Sequence, residues 1–357
     1  MEAKRSNHGF PLLLLSRRPT ATNNRRNCSL YSPLERKLHP IRFPDRSRPE
    51  RCLGSSSDGW LCMVDDSLQL YLLNPFSNSV VFLPPLRTTL LAMPRPHPRH
   101  RRSLTFSVIR RNDEGIELIG SGAFVRDEYL QKAVWSAKPT DPNCVIVLLW
   151  RTPHSIVCCR RGDEQWTVIG TSLSFISDAI FYREKLYVVG GEETMRVVAI
   201  DLLHQEEQEM LMPEFGFHID LGDQLYLAEG PSGLLFTVRH LLHWVHDVAY
   251  VTVGFETFRF DETVKKWVKT DGLGDGMLFL GLNTSMWVSC GDFKKCRGNC
   301  IYFTDDYNED STSNLASVGM GEDSGVFHLD DLSFGSIYDD EDMKWKYPYP
   351  VWVFLNT

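Results

Sequence analysis

The 357-residue chain has no apolar run long enough to cross a membrane as a helix. Near its start only Pro11 to Leu15 are consecutively apolar or proline, five residues against the roughly 7 to 15 of a secretion signal and the about 20 of a span. Neither secretion nor a membrane is expected. Helical patterning is scarce too: no window of 12 or more residues carries a convincing 3.6-residue apolar period, and Glu206 to Met210 amounts to one turn at most. There is no Walker loop, no HExxH helix and no GxSxG elbow. Gly272-Leu-Gly-Asp-Gly276 precedes the strand-like MLFLGL instead of a helix whose N-terminus could hold a phosphate, so it reads as a turn. No long Gly/Ser-rich linker divides the chain, and residues 10–357 read as one domain behind a short disordered stretch, 1–9.

Paired cysteines are missing as a pattern. The nine cysteines are odd in number, and several lie in apolar runs, which suits free thiols in a reducing compartment, cytoplasm or nucleus. The sequons at Asn27 and Asn283 are then unused. An alternative is organelle import, since residues 1–27 are Arg-rich with Glu2 as the one acid, although cleavage would remove the strand candidate Leu12 to Leu15.

Metal and cofactor signatures fail as well. Cys290, Cys296 and Cys300 contain no CxxC pair. His240, His243 and His246 would alternate faces of a strand. Asp306, Asn308 and Asp310 imitate the start of a calcium loop, but Ser311 and Ser317 stand where Gly and Glu are needed. No cofactor and no metal is predicted.

What the sequence has in quantity is short strands. Leu53 to Pro85 holds three apolar runs, Trp60 to Val64, Leu68 to Leu73 and Val80 to Leu83, separated by Asp65-Asp66-Ser67 and Asn74-Pro75-Phe76-Ser77-Asn78-Ser79. These separators bend a backbone, because Asn and Asp bond their own chain and Pro presets φ. The plan recurs at Val145–Ile169, Asp178–Ile200, Phe217–Val238, Ala249–Lys269 and Met277–Phe303. A hairpin over Leu104–Ile119 turns at Asn112 to Gly115, after a Pro-rich loop at Pro94 to Pro98. Meanders every 30 to 45 residues without intervening helices predict an all-β fold, a ring of about six to seven four-stranded blades. Gly190-Gly191 and the run from Phe258 to Trp267, with a Trp packed under a turn that begins at Asp261, give it a kelch-like cast. Trp166 is placed similarly after Asp163, and these tryptophans are expected between blades, where each would supply about 150 to 250 Å² of packing surface.

The net charge of −8 is split. Residues 1–103 carry 17 Lys+Arg against 7 Asp+Glu, and the remainder 21 against 39, so the two ends of the ring attract where first and last blades meet. The cluster Arg95, Arg99, His100, Arg101, Arg102 lacks interleaved aromatics on an acidic protein and is not expected to bind nucleic acid.

GSSSDGWL at Gly54 to Leu61, LYLLNPFSNSVVFLPPL at Leu70 to Leu86, CCRRGDEQWTVI at Cys158 to Ile169, DAIFYREKLYVV at Asp178 to Val189 and the terminal GVFHLDD and PVWV resemble the plant KIB-type β-propeller domain. The resemblance runs from about Phe10 to Val353. Its motif falls on Gly54, Ser55, Gly59, Trp60, Asn74, Pro75, Phe76, Pro84, Pro85, Trp166 and Trp267, expected to shape and pack blades. The family's domain usually follows an F-box, which binds Skp1 in a cullin ubiquitin ligase, while the propeller docks a protein client. The resemblance therefore implies a non-catalytic interaction domain with a client of unknown identity. An F-box needs about 45 residues, and nine precede Phe10, so Skp1 binding is not expected of these 357 residues. The alternative class is a propeller hydrolase with paired carboxylates drawn from Asp220, Asp223, Asp261 and Asp271. A pull-down of the 357-residue chain with purified Skp1 should recover no complex, and robust direct binding would overturn that expectation.

Overall fold

The computed structural model describes residues 9–16, 28–41, 43, 50–86, 92–96, 104–109, 117–151, 155–191, 195–204, 206–211, 223–233, 235–245, 249–293, 296–306, 323–339 and 350–354. The first strands are β1 (Leu12–Ser16), β2 (Cys28–Ser32), β3 (Lys37–Pro40), β4 (Glu50–Ser55), β5 (Leu61–Asp65), β6 (Leu70–Asn74) and β7 (Ser79–Phe82). Next come β8 (Ala92–Pro96), β9 (Leu104–Ile109) and β10 (Glu117–Ser121), then a short helical stretch at 122–129. There follow β11 (Leu130–Trp135), β12 (Val145–Trp150), β13 (Ser155–Arg160) and β14 (Thr167–Ile169), and then β15 (Ile176–Tyr182), β16 (Lys185–Gly190), β17 (Arg196–Asp201) and β18 (Glu206–Leu211). The chain continues through β19 (Gln224–Glu229), β20 (Leu235–Val245), β21 (Ala249–Asp261) and β22 (Lys266–Thr270). It ends with β23 (Gly276–Leu280), β24 (Met286–Ser289), β25 (Cys300–Phe303), β26 (Gly325–His328), β27 (Ser333–Gly335) and β28 (Val351–Val353).

Six of these groups are blades. Blade 1 has the order β28-β1-β2-β3, so it takes its inner strand from the end of the chain and the other three from the beginning. Blades 2 (β4–β7), 3 (β11–β14), 4 (β15–β18) and 5 (β19–β22) are plain antiparallel meanders. Blade 6 runs β24-β23-β25-β26-β27, with β25 parallel to β23, and its β24 meets β19 in one parallel pairing at Glu229 and Met286. Strands β8–β10 form a separate three-stranded sheet.

Alternation along each strand sends successive side chains to opposite faces, and in a ring both faces are covered by neighbouring blades. Six apolar clusters fill the six junctions. Leu14 and Leu61 join blades 1 and 2. Trp60 and Trp150 join 2 and 3, and Val147 and Val188 join 3 and 4. Ile180 and Leu227 join 4 and 5, Phe255 and Phe327 join 5 and 6, and Phe279 and Trp352 return from 6 to 1. Every blade thus packs on two others, which is a closed propeller.

One turn recurs between the last two strands of a blade. In blade 2, the Asn74 side chain accepts from the amides of Phe76 and Ser77 at 3.0 Å, and Asn78 takes a positive φ of 54° before Ser79 pairs back with Asn74. Asp261 does the same for Thr263 and Val264, with Lys265 at φ 54°. Asp201 accepts from Leu203 and His204, Ser32 accepts from Glu35 with Arg36 at φ 55°, and Leu332 holds φ 56° in blade 6. A short polar side chain that mimics a turn bond, followed four residues later by a left-handed residue, fixes the hairpin register.

Three expectations are corrected. The Pro-rich loop is strand β8 as far as Pro96, tolerated because β8 is an edge strand paired only with β9. Glu206 to Met210 is not a helical turn but belongs to β18, the charged outer strand of blade 4. The stretch from Trp60 to Leu83 supplies three strands of blade 2, whose inner strand is the preceding β4, and blade 3 begins likewise with β11, a strand outside the expected runs. The turn at 112–115, the strand at 217–220 and residues 1–8 lie outside the described residues.

Trp60 is 5% exposed in the core between blades 2 and 3. Trp60→Ala should destabilise by on the order of 3 to 5 kcal/mol in a denaturant titration, and a melting temperature that barely moves would contradict this packing.

Candidate functional site

The inner strands converge on the ring axis, and polar side chains stitch them together. Buried Arg51 on β4 donates through Nη1 to the carbonyl oxygens of Arg126 at 2.7 Å and Leu130 at 3.2 Å. Gln131 on β11 donates to Ser177 O at 2.8 Å, and Lys132 binds Asp178 at 2.6 Å. From β15, Ser177 exchanges bonds with both backbone groups of Leu225, and Asp178 Oδ2 accepts from Leu227 N at 3.0 Å. The partners advance together along both strands, so these inner strands run the same way. Ser55 Oγ ties blade 2 back to blade 1 by donating to Trp352 O.

Across this axis lies the segment that follows β23. Leu282 leaves blade 6 to join the core between blades 1 and 2, and Thr284 N donates to Ser55 O at 3.0 Å. The Gly281 carbonyl lies 3.4 Å from Lys132 Nζ. Gly54 makes room for this crossing: a Cβ there would stand 2.4 Å from Ala133 O and 3.4 Å from Leu282 O. Asn283 is fully buried, its Nδ2 donating to Phe279 O and Thr284 O. A glycan cannot be carried at that position in the folded protein. Residues 281–285 act as a plug.

Lys132 and Asp178 are the most deeply buried ion pair among the described residues, 4% and 2% exposed. Burial pushes the Asp178 carboxyl above its ordinary range, and the Lys132 ammonium with the amides of Leu227 and Ala179 opposes that rise. With ammonium and amides already occupying it, this carboxylate is a fastening. Beside it, Tyr226 Oη lies 2.7 Å from Asp306 Oδ1 and 2.9 Å from Gln224 Oε1. Burial lifts Asp306 to about 6, opposed by the Tyr226 hydroxyl and Lys132 and reinforced by Asp178.

The carboxylates expected for hydrolysis are not assembled. Asp223 binds Arg239 at 2.6 Å, Asp261 caps its own turn, Asp271 is exposed, and Asp220 lies outside the described residues. No group of three or more His, Cys, Asp or Glu among the described residues is arranged to hold a metal. His240 is buried against Phe255, ring centroids 4.5 Å apart, and is pushed down to about 3 by burial, whereas His243 is exposed. His246, Asn308 and Asp310 lie outside the described residues, as do Arg99 to Arg102. Burial lifts the Cys52 and Cys300 thiols to about 12, which keeps them protonated and unreactive.

The family-motif residues fall into three places. Gly54 and Ser55 belong to the axis. Trp60, Trp166 and Pro84 meet between blades 2 and 3, where Trp166 Nε1 donates to Pro84 O at 2.7 Å and Pro85 continues the strand exit, while Trp267 packs on Phe260 between blades 4 and 5. Gly59, at φ +79°, sits under the turn, a Cβ there coming 3.6 Å from the Phe76 ring and 2.9 Å from Phe354 O. Asn74 holds that turn, and Pro75 and Phe76 line an open pocket of about 560 Å³ between blades 1 and 2 with Leu12, Leu30 and His39.

Sequence reasoning missed a surface feature of the recurrent turn. It displays a large apolar side chain in five blades: Leu34, Phe76, Leu203, Val264 and Leu332, between 41% and 74% exposed. The inner strands share one direction, so these turns open on one side of the ring. The available signal was an apolar residue two or three positions beyond the turn-opening Ser32, Asn74, Asp201 and Asp261.

Removing one partner of the axial pair leaves a buried charge. Asp178→Ala or Lys132→Ala should each cost about 3 to 5 kcal/mol, and Lys132→Met with Asp178→Leu should be milder than either, measured by urea denaturation; equal losses in all three would contradict the reading.

Curated relatives of this chain include F-box proteins of Arabidopsis thaliana. "F-box protein SKIP23" is 28% identical over 305 residues, covering 79% of this chain and 69% of that protein. "Putative F-box protein At3g25750" is 28% identical, covering 54% of this chain and 49% of its own length, and "F-box protein At2g26160" is 24% identical over 81% of this chain and 86% of its own. The family described as KIB1-4 beta-propeller matches residues 30–328, and with six blades closed into a ring the chain belongs to that family.

Proposed function

We propose that this chain is a protein-docking propeller that recognises a client through the turn side of the ring, as the client-recognition module of an F-box-type ubiquitin pathway, and has no catalytic role of its own. The observation that carries this reading is the set of exposed apolar side chains at one recurrent turn, Leu34, Phe76, Leu203, Val264 and Leu332. Singly exposed apolar residues need no explanation, but repetition within the same turn of five blades around one side of a ring is a pattern. Leu332 adds to it, because a leucine pays a steric cost at positive φ and here is also exposed. The F-box relatives support assigning that side to protein recognition. The plugged axis argues against a substrate pocket at the level of Lys132 and Asp178. The odd number of cysteines and the burial of Cys52, Cys62, Cys144, Cys159 and Cys300 support a reducing compartment, cytoplasm or nucleus.

The test is quantitative affinity purification from plant extract with the parent chain and a Phe76→Ser, Leu203→Ser, Val264→Ser variant. A client should be recovered with the parent and lost with the variant while the melting temperature stays within a few degrees. Recovery of the same proteins with both sinks the assignment.

A further inference from the structure

The axial cluster contains one arrangement that fastening the blades does not explain. Tyr226 Oη has a single proton and two acceptors within reach, Asp306 Oδ1 at 2.7 Å and Gln224 Oε1 at 2.9 Å. It can donate to only one at a time. Asp306 follows β25 of blade 6, whereas Tyr226 and Gln224 lie on β19, the inner strand of blade 5, so the choice of acceptor decides whether the hydroxyl proton is shared across the blade junction.

We propose that Asp306, Tyr226 and Gln224 form a proton-operated latch between blades 5 and 6. With Asp306 ionised, Tyr226 donates to the carboxylate. With Asp306 protonated, the carboxyl donates to Tyr226 Oη, and Tyr226 turns its proton to Gln224 Oε1. One proton is taken up from solvent as an O–H bond on Asp306, the Tyr226–Asp306 hydrogen bond reverses direction, and Tyr226 makes a hydrogen bond to Gln224 Oε1, which accepts throughout.

The surroundings set where this happens. Facing Asp306 are Tyr226 and Gln224 on β19, Lys132 on β11, Asp178 on β15, Arg151 at the end of β12, and its neighbour Asp305, whose amide donates to Ser324 Oγ. Lys132 and Arg151 favour the carboxylate, Asp178 opposes it, and burial is the largest effect, bringing the midpoint to about 6. Asp306 is only partly buried, so protons can reach it. Tyr226 stays a donor throughout, since burial and the neighbouring carboxylates raise its hydroxyl well above the usual range.

The sign of the linkage follows. A carboxyl whose folded value lies above its unfolded one binds more protons when folded, so its contribution is complete below the unfolded value near 3.8, declines as pH rises, and is lost above about 6. Across that window the folding equilibrium shifts by roughly a hundredfold from this group alone.

The experiment is carbon-detected NMR of the full chain labelled at aspartate, with parent, Asp306→Asn and Tyr226→Phe proteins titrated from pH 4 to 8. One aspartate carboxyl should titrate near pH 6 in the parent and vanish in Asp306→Asn. In Tyr226→Phe its midpoint should move upward, because the donor that favours the carboxylate is gone, and this arm stands even if Asp306→Asn fails to fold. The melting-temperature advantage of Asp306→Asn over the parent should also widen from about pH 4 to 6 and then hold constant. No aspartate titrating above pH 5, or a midpoint unmoved in Tyr226→Phe, overturns the latch.

Discussion

The pairing of Val351–Val353 with Leu12–Ser16 is the contact on which the rest of the ring depends. A row of blades stacked face to face has two exposed apolar faces, one at each end. By adding the last strand of the chain to the sheet that holds its first strands, this protein makes the two ends one blade and buries both faces. The core between blades 6 and 1, where Trp352 and Phe279 lie edge to face at 5.0 Å, exists only because of that pairing. The charge imbalance along the chain assists modestly. Arg36 of the basic segment pairs with Asp339 of the acidic one, but both are exposed, and such pairs contribute about 0 to 1 kcal/mol.

How much of this was legible in the sequence depended on where a strand sits between axis and rim. Middle strands such as β6, β12 and β16 are buried on both faces and read as apolar runs. The inner strands β4 and β11 were not legible, because the axis is crowded and polar. Arg51 and Lys132 are buried there, and both read as surface residues until their partners, backbone carbonyls and Asp178, are known. The rim failed for the opposite reason: β18 carries Glu206, Glu207 and Glu209 as an outer strand must if it is not to pair with other chains, and such a strand has little apolar signal.

The candidate site was legible in part. Of the residues the family resemblance singles out, Trp60 and Trp166 pack between blades 2 and 3, and Asn74 holds the turn after β6. The plug was not legible, since Gly281-Leu282-Asn283-Thr284-Ser285 is polar enough to pass for a surface loop, and its burial depends on Gly54 from a strand more than 200 residues earlier. The apolar residues of the recurrent turns align across blades 1, 2, 5 and 6 through the left-handed residues Arg36, Asn78, Lys265 and Leu332, which sequence alone does not mark.

The burial of Asn283 has a consequence for biogenesis. Asparagine-linked sugar is transferred to unfolded chains, and Asn283-Thr284-Ser285 is an acceptor sequence while the chain is unfolded. A glycan attached then would have to be expelled from the axis for residues 281–285 to seat, yet the folded position leaves that side chain no exposure at all. Passage through a glycosylating lumen would therefore trap a fraction of molecules with the plug outside and the ring incomplete.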